Sequence, residues 1–275
     1  MDKDVLYAVD GPVARVTLNR PRYRNAQSWR LLDQLDESLD RAMADSAVRV
    51  VVVDGAGGNF SSGHDLGTPE QLADQKDRGV PEHGLEFYDN FRKYNLDYTI
   101  KWRNLPKATI AMVEGYCIFG GWMIAAAMDL IFSSSKALFL PSQLEYFSVP
   151  WDIHPRKAKE LLFEYRFVDA QEAKEIGFVN RIYESEDLER ETVAYANRVA
   201  ENTATSVRLA KVATNRAQDL QGYSVGIDAG FADFLVNMET RGRKPEGVVR
   251  LGGVDLALRG LKGERFGQTP VEGDD

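Results

Sequence analysis

Two glycines running straight into an apolar helix carry the strongest chemical signal in this 275-residue chain. They lie in ATIAMVEGYCIFGGWMIAAAMD, from Ala108 to Asp129. Ile110, Met112 and Val113 read as a buried strand, Gly115 as a turn, and Trp122 to Met128 as a small-residue helix buried on all sides. The pair Gly120-Gly121 lets the backbone approach a ligand closely. It also leaves unpaired N–H groups at the positive end of the helix dipole. An amide placed there can hold a developing oxyanion. The same pair suits a close helix–strand contact that needs glycine only for space, and this stretch alone leaves both readings open.

Other chemistry is easier to exclude. Three histidines and the single Cys117 show no metal-ligand spacing, so no metal is expected. The turn Gly55 to Gly58 has no P-loop lysine after it, and no GxGxxG is present, which argues against a nucleotide-phosphate site. A net charge of −8 with no basic stripe argues against nucleic acid as a partner. Apolar residues make up 44% and charged residues 28% of the chain, an ordinary balance for a globular protein long enough for a full core. The first residues, MDKDVLYAVDG, lack the apolar core of a secretory signal, and no apolar run reaches the ~20 residues of a membrane span. A soluble, cytoplasmic protein is the expectation.

The elements that must position these groups follow in order. Val5 to Val9 and Val13 to Leu18 alternate around Asp10-Gly11 as a hairpin. Trp29, Leu31, Leu32, Leu35, Leu39 and Met43 fall at helical spacing. Val48 to Val53 is a strand buried on both faces. It ends in the glycine turn before Phe60-Ser61-Ser62-Gly63-His64-Asp65-Leu66. Residues 67–84 are polar and weakly periodic, a long surface segment of the kind that forms lids, in which His83 reads as solvent-exposed. A helix from Leu85 to about Trp102 follows. Strands are expected at Leu130 to Ser133 and at ALFLP, ending at Pro141. Ser142 to Pro155 is irregular and aromatic. Helices cover Arg156 to Phe163 and Ala170 to Ile176, the latter stopped by Gly177, with a short strand at Val179 to Tyr183. The last third holds helices at Leu188 to Glu201, Ala204 to Leu220 and Val225 to Met238. A Gly/Arg/Lys-rich tail then carries one short apolar run, Val254 to Leu258. The pattern is a βαβ-rich α/β body with an all-helical end.

In this layout the chain resembles the crotonase (enoyl-CoA hydratase/isomerase) superfamily. The resemblance rests on five blocks in register: LNRPRYRNA (Leu18 to Ala26), VVVDGAGGNFSSGHDL (Val51 to Leu66), PKATIAMVEGYCIFGG (Pro106 to Gly121), AAAMDLIFSSSKALF (Ala125 to Phe139) and FVDAQEAKEIGFVNRIY (Phe167 to Tyr183). It implies an α/β spiral of ββα turns over residues 1–195, carrying an acyl-CoA site. A C-terminal helical region with a basic tail, 196–275, is implied to drive a homotrimer or a hexamer. It implies coenzyme A as part of the substrate and no other cofactor. By position, the backbone N–H groups of His64 and Gly120 would form an oxyanion hole for a thioester enolate, each worth roughly 3 kcal/mol. Arg22, Arg24, Ser62 and Asp65 map to coenzyme A contacts, as do Lys262 or Arg265 beside Phe266 in the tail. Guanidinium and ammonium groups suit phosphate oxygens, although each of these residues also reads as a solvated surface charge.

The chain departs from the pattern where hydratases place two glutamates that activate water and protonate the α-carbon. Counting from Asp129 and Phe139, those positions hold Met123 and Gln143, and neither side chain transfers a proton. Met123 is expected in the apolar pocket wall, and Gln143 as a hydrogen-bonding group. Ordinary enoyl-CoA hydration is therefore not the expected reaction. The loop 143–154 offers replacements: Glu145 two residues past the lost glutamate, Tyr146 as a donor, and Asp152 and His154 near positions where other superfamily members place catalytic groups. Asp152 reads equally as a helix cap. Tyr88, Phe91, Trp122, Tyr146, Phe147 and Trp151 suggest a bulky or cyclic acyl group, hence weak turnover of crotonyl-CoA. A non-catalytic acyl-CoA-binding homologue is the competing expectation.

Overall fold

The computed structural model describes residues 3–79, 81, 83–242 and 253–262. Its centre is a strand with both faces covered. In β3 (Val50–Gly55) four consecutive valines are buried. β2 (Val13–Leu18) runs parallel on one side, and β4 (Ala108–Val113) runs parallel on the other. β1 (Val5–Asp10) closes one edge as an antiparallel hairpin partner of β2. β6 (Leu130–Ser134) and β9 (Arg181–Tyr183) extend the other edge in parallel, giving the order β1-β2-β3-β4-β6-β9. The period of two then sorts the valines. Val51 and Val53 enter the main core, while Val50 and Val52 face a smaller cluster closed by Leu188 and Ala196.

α1 (Trp29–Ala44) covers the main-core face. Its apolar stripe buries Leu31, Leu32, Leu35, Leu39 and Ala42. The Ser28 hydroxyl caps it by accepting from the Leu31 N–H at 3.1 Å. A second sheet, in the order β5-β7-β8, is built from β5 (Tyr116–Ile118), β7 (Leu138–Leu140) and β8 (Val168–Asp169). β5 leads directly into α5 (Gly120–Ala127), the glycine-led helix expected from the sequence.

Four local features differ from the sequence expectation. The segment 67–84 contains a helix, α2 (Pro69–Asp77), capped by the Thr68 side chain with proline in its first turn. Thr-Pro-Glu is a start signal in its own right. The expected single helix after Leu85 is α3 (Leu85–Arg92) and α4 (Tyr98–Arg103), joined by a π-helical turn, Lys93–Asp97. One helical turn, α6 (Val149–Asp152), interrupts the irregular 142–155 loop. The short apolar run Val254 to Leu258 lies within a helix, α12 (Gly253–Leu261).

α7 (Pro155–Glu164), α8 (Ala170–Glu175), α9 (Ser185–Ala200), α10 (Ala204–Leu220) and α11 (Tyr223–Gly242) complete the chain. α11 returns over the body. Tyr223, Ile227 and Phe231 pack with Leu96, Met123 and Tyr146. α10 buries only Lys211, whose ammonium group reaches the Asp129 carboxylate at 2.9 Å and the Lys107 carbonyl at 3.2 Å.

Candidate active site

Gly63 and Gly120 meet where two loops cross. Gly63 has φ +93°, and a methyl group placed on it would lie 2.9 Å from the Ile118 carbonyl oxygen and 3.4 Å from the Gly120 nitrogen. The backbones touch because neither residue carries a side chain. Phe119, the residue before α5, takes φ 44° and turns the chain so that the helix starts at this crossing. Among the described residues, the His64 and Gly120 N–H groups donate to no protein acceptor. Two amides without a protein acceptor, one of them at a helix N-terminus, are groups of the kind that can hold an oxyanion. The close-packing reading also holds, because a methyl group on Gly120 would fall 2.4 Å from Gln27 Oε1, and one on Gly121 2.8 Å from the Ser61 carbonyl oxygen.

The crossing opens on a cleft of about 710 Å³. His64, Asp65 and Glu145 line it, with Gln27, Trp29 and Gln71 from the start of α1 and from α2. Phe87, Phe91 and Asn95 come from the α3 side, and Phe234 and Met238 come from α11. Burial lowers the His64 imidazole to about 4, so it is neutral at pH 7, and its Nε2 has no hydrogen-bond partner. The sequence candidates missed Gln27, Trp29, Gln71 and Asn95. Their polar or aromatic types gave no motif, and only the fold brings them together.

The remaining candidates lie elsewhere. Asp152 and Trp151 line a second cavity of about 490 Å³, with Arg103, Asp129, Lys211 and Tyr223. The Asp152 carboxylate accepts from Trp122 Nε1 at 2.9 Å and from the Ser148 hydroxyl at 2.6 Å. Burial pushes its carboxyl up to about 6 against the opposite pull of those two bonds. It does not cap the following helix. That position belongs to His154, which is exposed and accepts from the Arg156 N–H through Nδ1 at 3.3 Å. Trp122 is fully buried and stacked on Phe178 with ring centroids 3.5 Å apart, so it is core rather than acyl-pocket wall. Met123 is likewise packed dry in the α11 cluster. Tyr146 is fully buried and shares a 2.5 Å hydrogen bond with the Tyr223 hydroxyl. Gln143 is partly buried on the same loop.

Of the coenzyme A candidates, Arg22 is exposed beside Glu70 at 3.8 Å, and the Arg24 guanidinium lies 5.4 Å over the Tyr116 ring. The Ser62 hydroxyl donates to the Tyr23 carbonyl at 3.1 Å. Asp65 is a scaffold residue by its contacts. Its carboxylate pairs with Arg20 at 2.8 Å and accepts from the Gly67 and Thr68 N–H groups, and these bonds hold its pKa down against burial. Lys262 is exposed just beyond α12, and Phe266 and Arg265 fall outside the described residues. Among the described residues, no cluster of three or more potential metal ligands is found, and no helix is long and apolar enough to cross a membrane.

With this geometry in place, comparison with known proteins is decisive. The family model "Enoyl-CoA hydratase/isomerase" matches residues 9–227. The chain belongs to the enoyl-CoA hydratase/isomerase family, the crotonase superfamily. It is 34% identical over 268 residues to a putative enoyl-CoA hydratase, EchA13, of Mycobacterium tuberculosis, covering 90% of this chain and 84% of that relative. Its fold is similar to the crystal structure of a probable enoyl-CoA hydratase from Mycobacterium smegmatis, with TM-score 0.75 and 37% identity over 83% of this chain and 91% of that one. A monofunctional enoyl-CoA isomerase of M. smegmatis matches with TM-score 0.64 and 29% identity, covering 79% of this chain and 95% of that one. The α/β body and C-terminal helices described above are thus those of this enzyme family.

His64 and Asp152 make opposite contributions to the pH dependence of stability. The His64 imidazole binds its proton more weakly folded than unfolded, so its contribution to stability rises with pH between about 4 and its ordinary 6.5. Asp152 binds its proton more tightly folded, so its contribution falls as pH rises from its ordinary 3.8 to about 6. Asp152→Asn removes only the falling part. Urea denaturation of the variant at pH 4.5 and pH 7 is therefore expected to show a larger gain with pH than the parent shows. An equal gain in both would contradict the desolvated state of Asp152.

Proposed function

We propose that this protein is an acyl-CoA-processing enzyme that holds a thioester enolate on the His64 and Gly120 amides and moves one proton through Glu145. The observation that carries the reading is the sharing of one cleft by His64, by Gln27 against Gly120, and by Glu145. Asp65, also on that lining, pairs with Arg20 at 2.8 Å. Asp152 and His154 lie outside the cleft and become structural in this account. With Met123 and Gln143 at the positions the resemblance assigns to the hydratase glutamates, water addition lacks its pair of acid–base groups. A double-bond shift needs only one. Glu145 would take a proton from the α-carbon, the amides would hold the dienolate oxygen, and the same carboxyl would return the proton at the γ-carbon. One solved relative is described as a monofunctional enoyl-CoA isomerase. Trp29, Phe87, Phe91 and Phe234 on the lining favour a bulky or cyclic acyl group.

Assembly as a homotrimer or hexamer is part of the proposal. Leu209, Val212 and Leu220 on α10 and Val225 on α11 are exposed, a row of apolar groups that a subunit contact would cover. The replaced glutamates also favour a second reading, a non-catalytic acyl-CoA-binding protein.

The two readings separate in one experiment. Proton NMR of 3-enoyl-CoA esters, linear and alicyclic, is expected to show double-bond migration, and mass spectrometry to show α-hydrogen exchange in D₂O. Glu145→Gln is expected to lower kcat by about 10²-fold or more with ester binding retained. Asp152→Asn and His154→Ala are expected to stay within a few fold of the parent. Tight ester binding without exchange or product in the parent protein would establish the binding-protein reading instead.

A further inference from the structure

Two carboxamides in the cleft wall have their orientation fixed by the groups behind them. Gln27 Nε2 donates to the Ser61 hydroxyl oxygen at 3.1 Å. That hydroxyl donates its own proton to the Asn25 carbonyl at 2.9 Å and accepts from the Gly63 N–H at 3.1 Å. With the proton committed, Ser61 Oγ meets Gln27 only as an acceptor, so the amide nitrogen must face it and Oε1 must face away. Asn95 repeats the device. Its Nδ2 donates to the Phe91 carbonyl at 2.8 Å, an acceptor only, which leaves Oδ1 as the other end.

Neither oxygen accepts from a protein donor among the described residues, although Gln27 is only 3% exposed and Asn95 only 7%. Both residues line the cleft that holds His64 and Glu145. Asn95 sits in the π-helical turn Lys93–Asp97, and such an insertion re-aims side chains relative to a regular helix. Gln71 is held in the reverse sense, its Oε1 accepting from the Trp29 N–H at 3.0 Å, and so supplies a donor to the same lining. Neither oxygen is among the fully buried polar atoms left without a partner, so each reaches the cleft space, where a hydroxyl donor that displaces solvent can pair with it.

We infer that the acyl group this cleft accepts is hydroxylated, with Gln27 Oε1 and Asn95 Oδ1 accepting hydrogen bonds from its hydroxyl groups. The inference rests on the acyl-CoA reading above. Gln27 Oε1 lies against Gly120, so it serves a hydroxyl close to the thioester carbonyl. Asn95, one helical turn from Phe91, serves one farther along among the aromatic side chains. A site built to bind a hydroxyl discriminates strongly against the analogue that lacks it, because its own acceptors are then left unpaired.

The test is calorimetric titration of the full-length protein with cyclohexanecarbonyl-CoA, its 2-, 3- and 4-hydroxy derivatives, and free coenzyme A. At least one hydroxy ester is expected to bind about tenfold or more tightly than the parent ester. Gln27→Met and Asn95→Leu, each checked for folding by circular dichroism, are expected to reduce the ratio of hydroxy-ester to parent-ester affinity toward unity. Two variants on different elements keep the test intact if one fails to fold. Equal affinity for all four esters would overturn the inference. So would variants that lose affinity for hydroxylated and parent esters alike, since the oxygens would then only brace the wall. Failure of every ester and of coenzyme A to bind would overturn the acyl-CoA reading itself, and this inference with it.

Discussion

The site depends on Ser61. This fully buried residue connects every segment that meets at the proposed oxyanion amides. Its backbone pairs with β5 on both sides, donating to the Tyr116 carbonyl at 2.9 Å and accepting from the Ile118 N–H at 3.0 Å. Its hydroxyl joins the Asn25 carbonyl, the Gly63 N–H and the Gln27 carboxamide in one saturated group. Its carbonyl oxygen also lies where a side chain on Gly121 would have to go. Small residues at 63, 120 and 121 therefore follow from the close approach of segments at the start of α5: Gly63 to Ile118 and Gly120, Gly120 to Gln27, and Gly121 to Ser61. The placement of the His64 and Gly120 amides is a consequence of that approach, and it needs no flexible part.

Around this fixed crossing the structure keeps two kinds of polar group apart. On the cleft side, Gln27, His64, Asn95 and Glu145 stand among aromatic rings. On the far side, Asp152, Trp122, Ser148, Arg103, Tyr223 and Lys211 form bonds that hold α6, α10 and α11 to the body. Burial raises the pKa of the Asp152 carboxyl in the second group, and its hydrogen-bond partners are Trp122 and Ser148, so its burial reads as structural. α11 links the two sides. Its inward face packs Ile227 and Phe231 on Met123 and Tyr146, and farther on it places Phe234 and Met238 on the cleft. A methionine at position 123 suits that role, because it fills a dry space that an ionised glutamate would occupy only at a desolvation cost.

Much of this was legible in the chain itself. The β1–β2 hairpin, the apolar stripe of α1, the valine strand β3, the glycine-led α5 and the span of α10 all follow from period, propensity and punctuation. Five motif blocks in register gave the family. What the chain hid was of two kinds. Short elements such as β5, α6 and the π-helical turn are too brief to show a period, and α2 has almost no apolar stripe despite its Thr68-Pro69 start. The second kind was contact at a distance. Nothing local distinguishes Glu145 from Asp152 on the 143–154 loop. The loop's path puts Glu145 on the cleft, while α6 and Trp122 carry Asp152 away from it. Asp65 looked like a ligand contact in sequence, but Arg20, 45 positions earlier, holds its carboxylate. Gln27 and Asn95 carry no motif and are recognised only by what their amide nitrogens hold.

The central claim is that the His64 and Gly120 amides polarise a thioester carbonyl, and it can be read directly in the carbonyl bond. Isotope-edited infrared difference spectra of an acyl-CoA carrying a ¹³C thioester carbonyl, bound to the protein and to Gly120→Ala, measure that bond. The account predicts a shift of the carbonyl stretch to lower frequency on binding, lost or largely reduced in Gly120→Ala, where the new methyl group collides with Gln27 Oε1 and displaces the crossing. A carbonyl stretch that is the same bound and free, in a protein that binds the ester tightly, would contradict it.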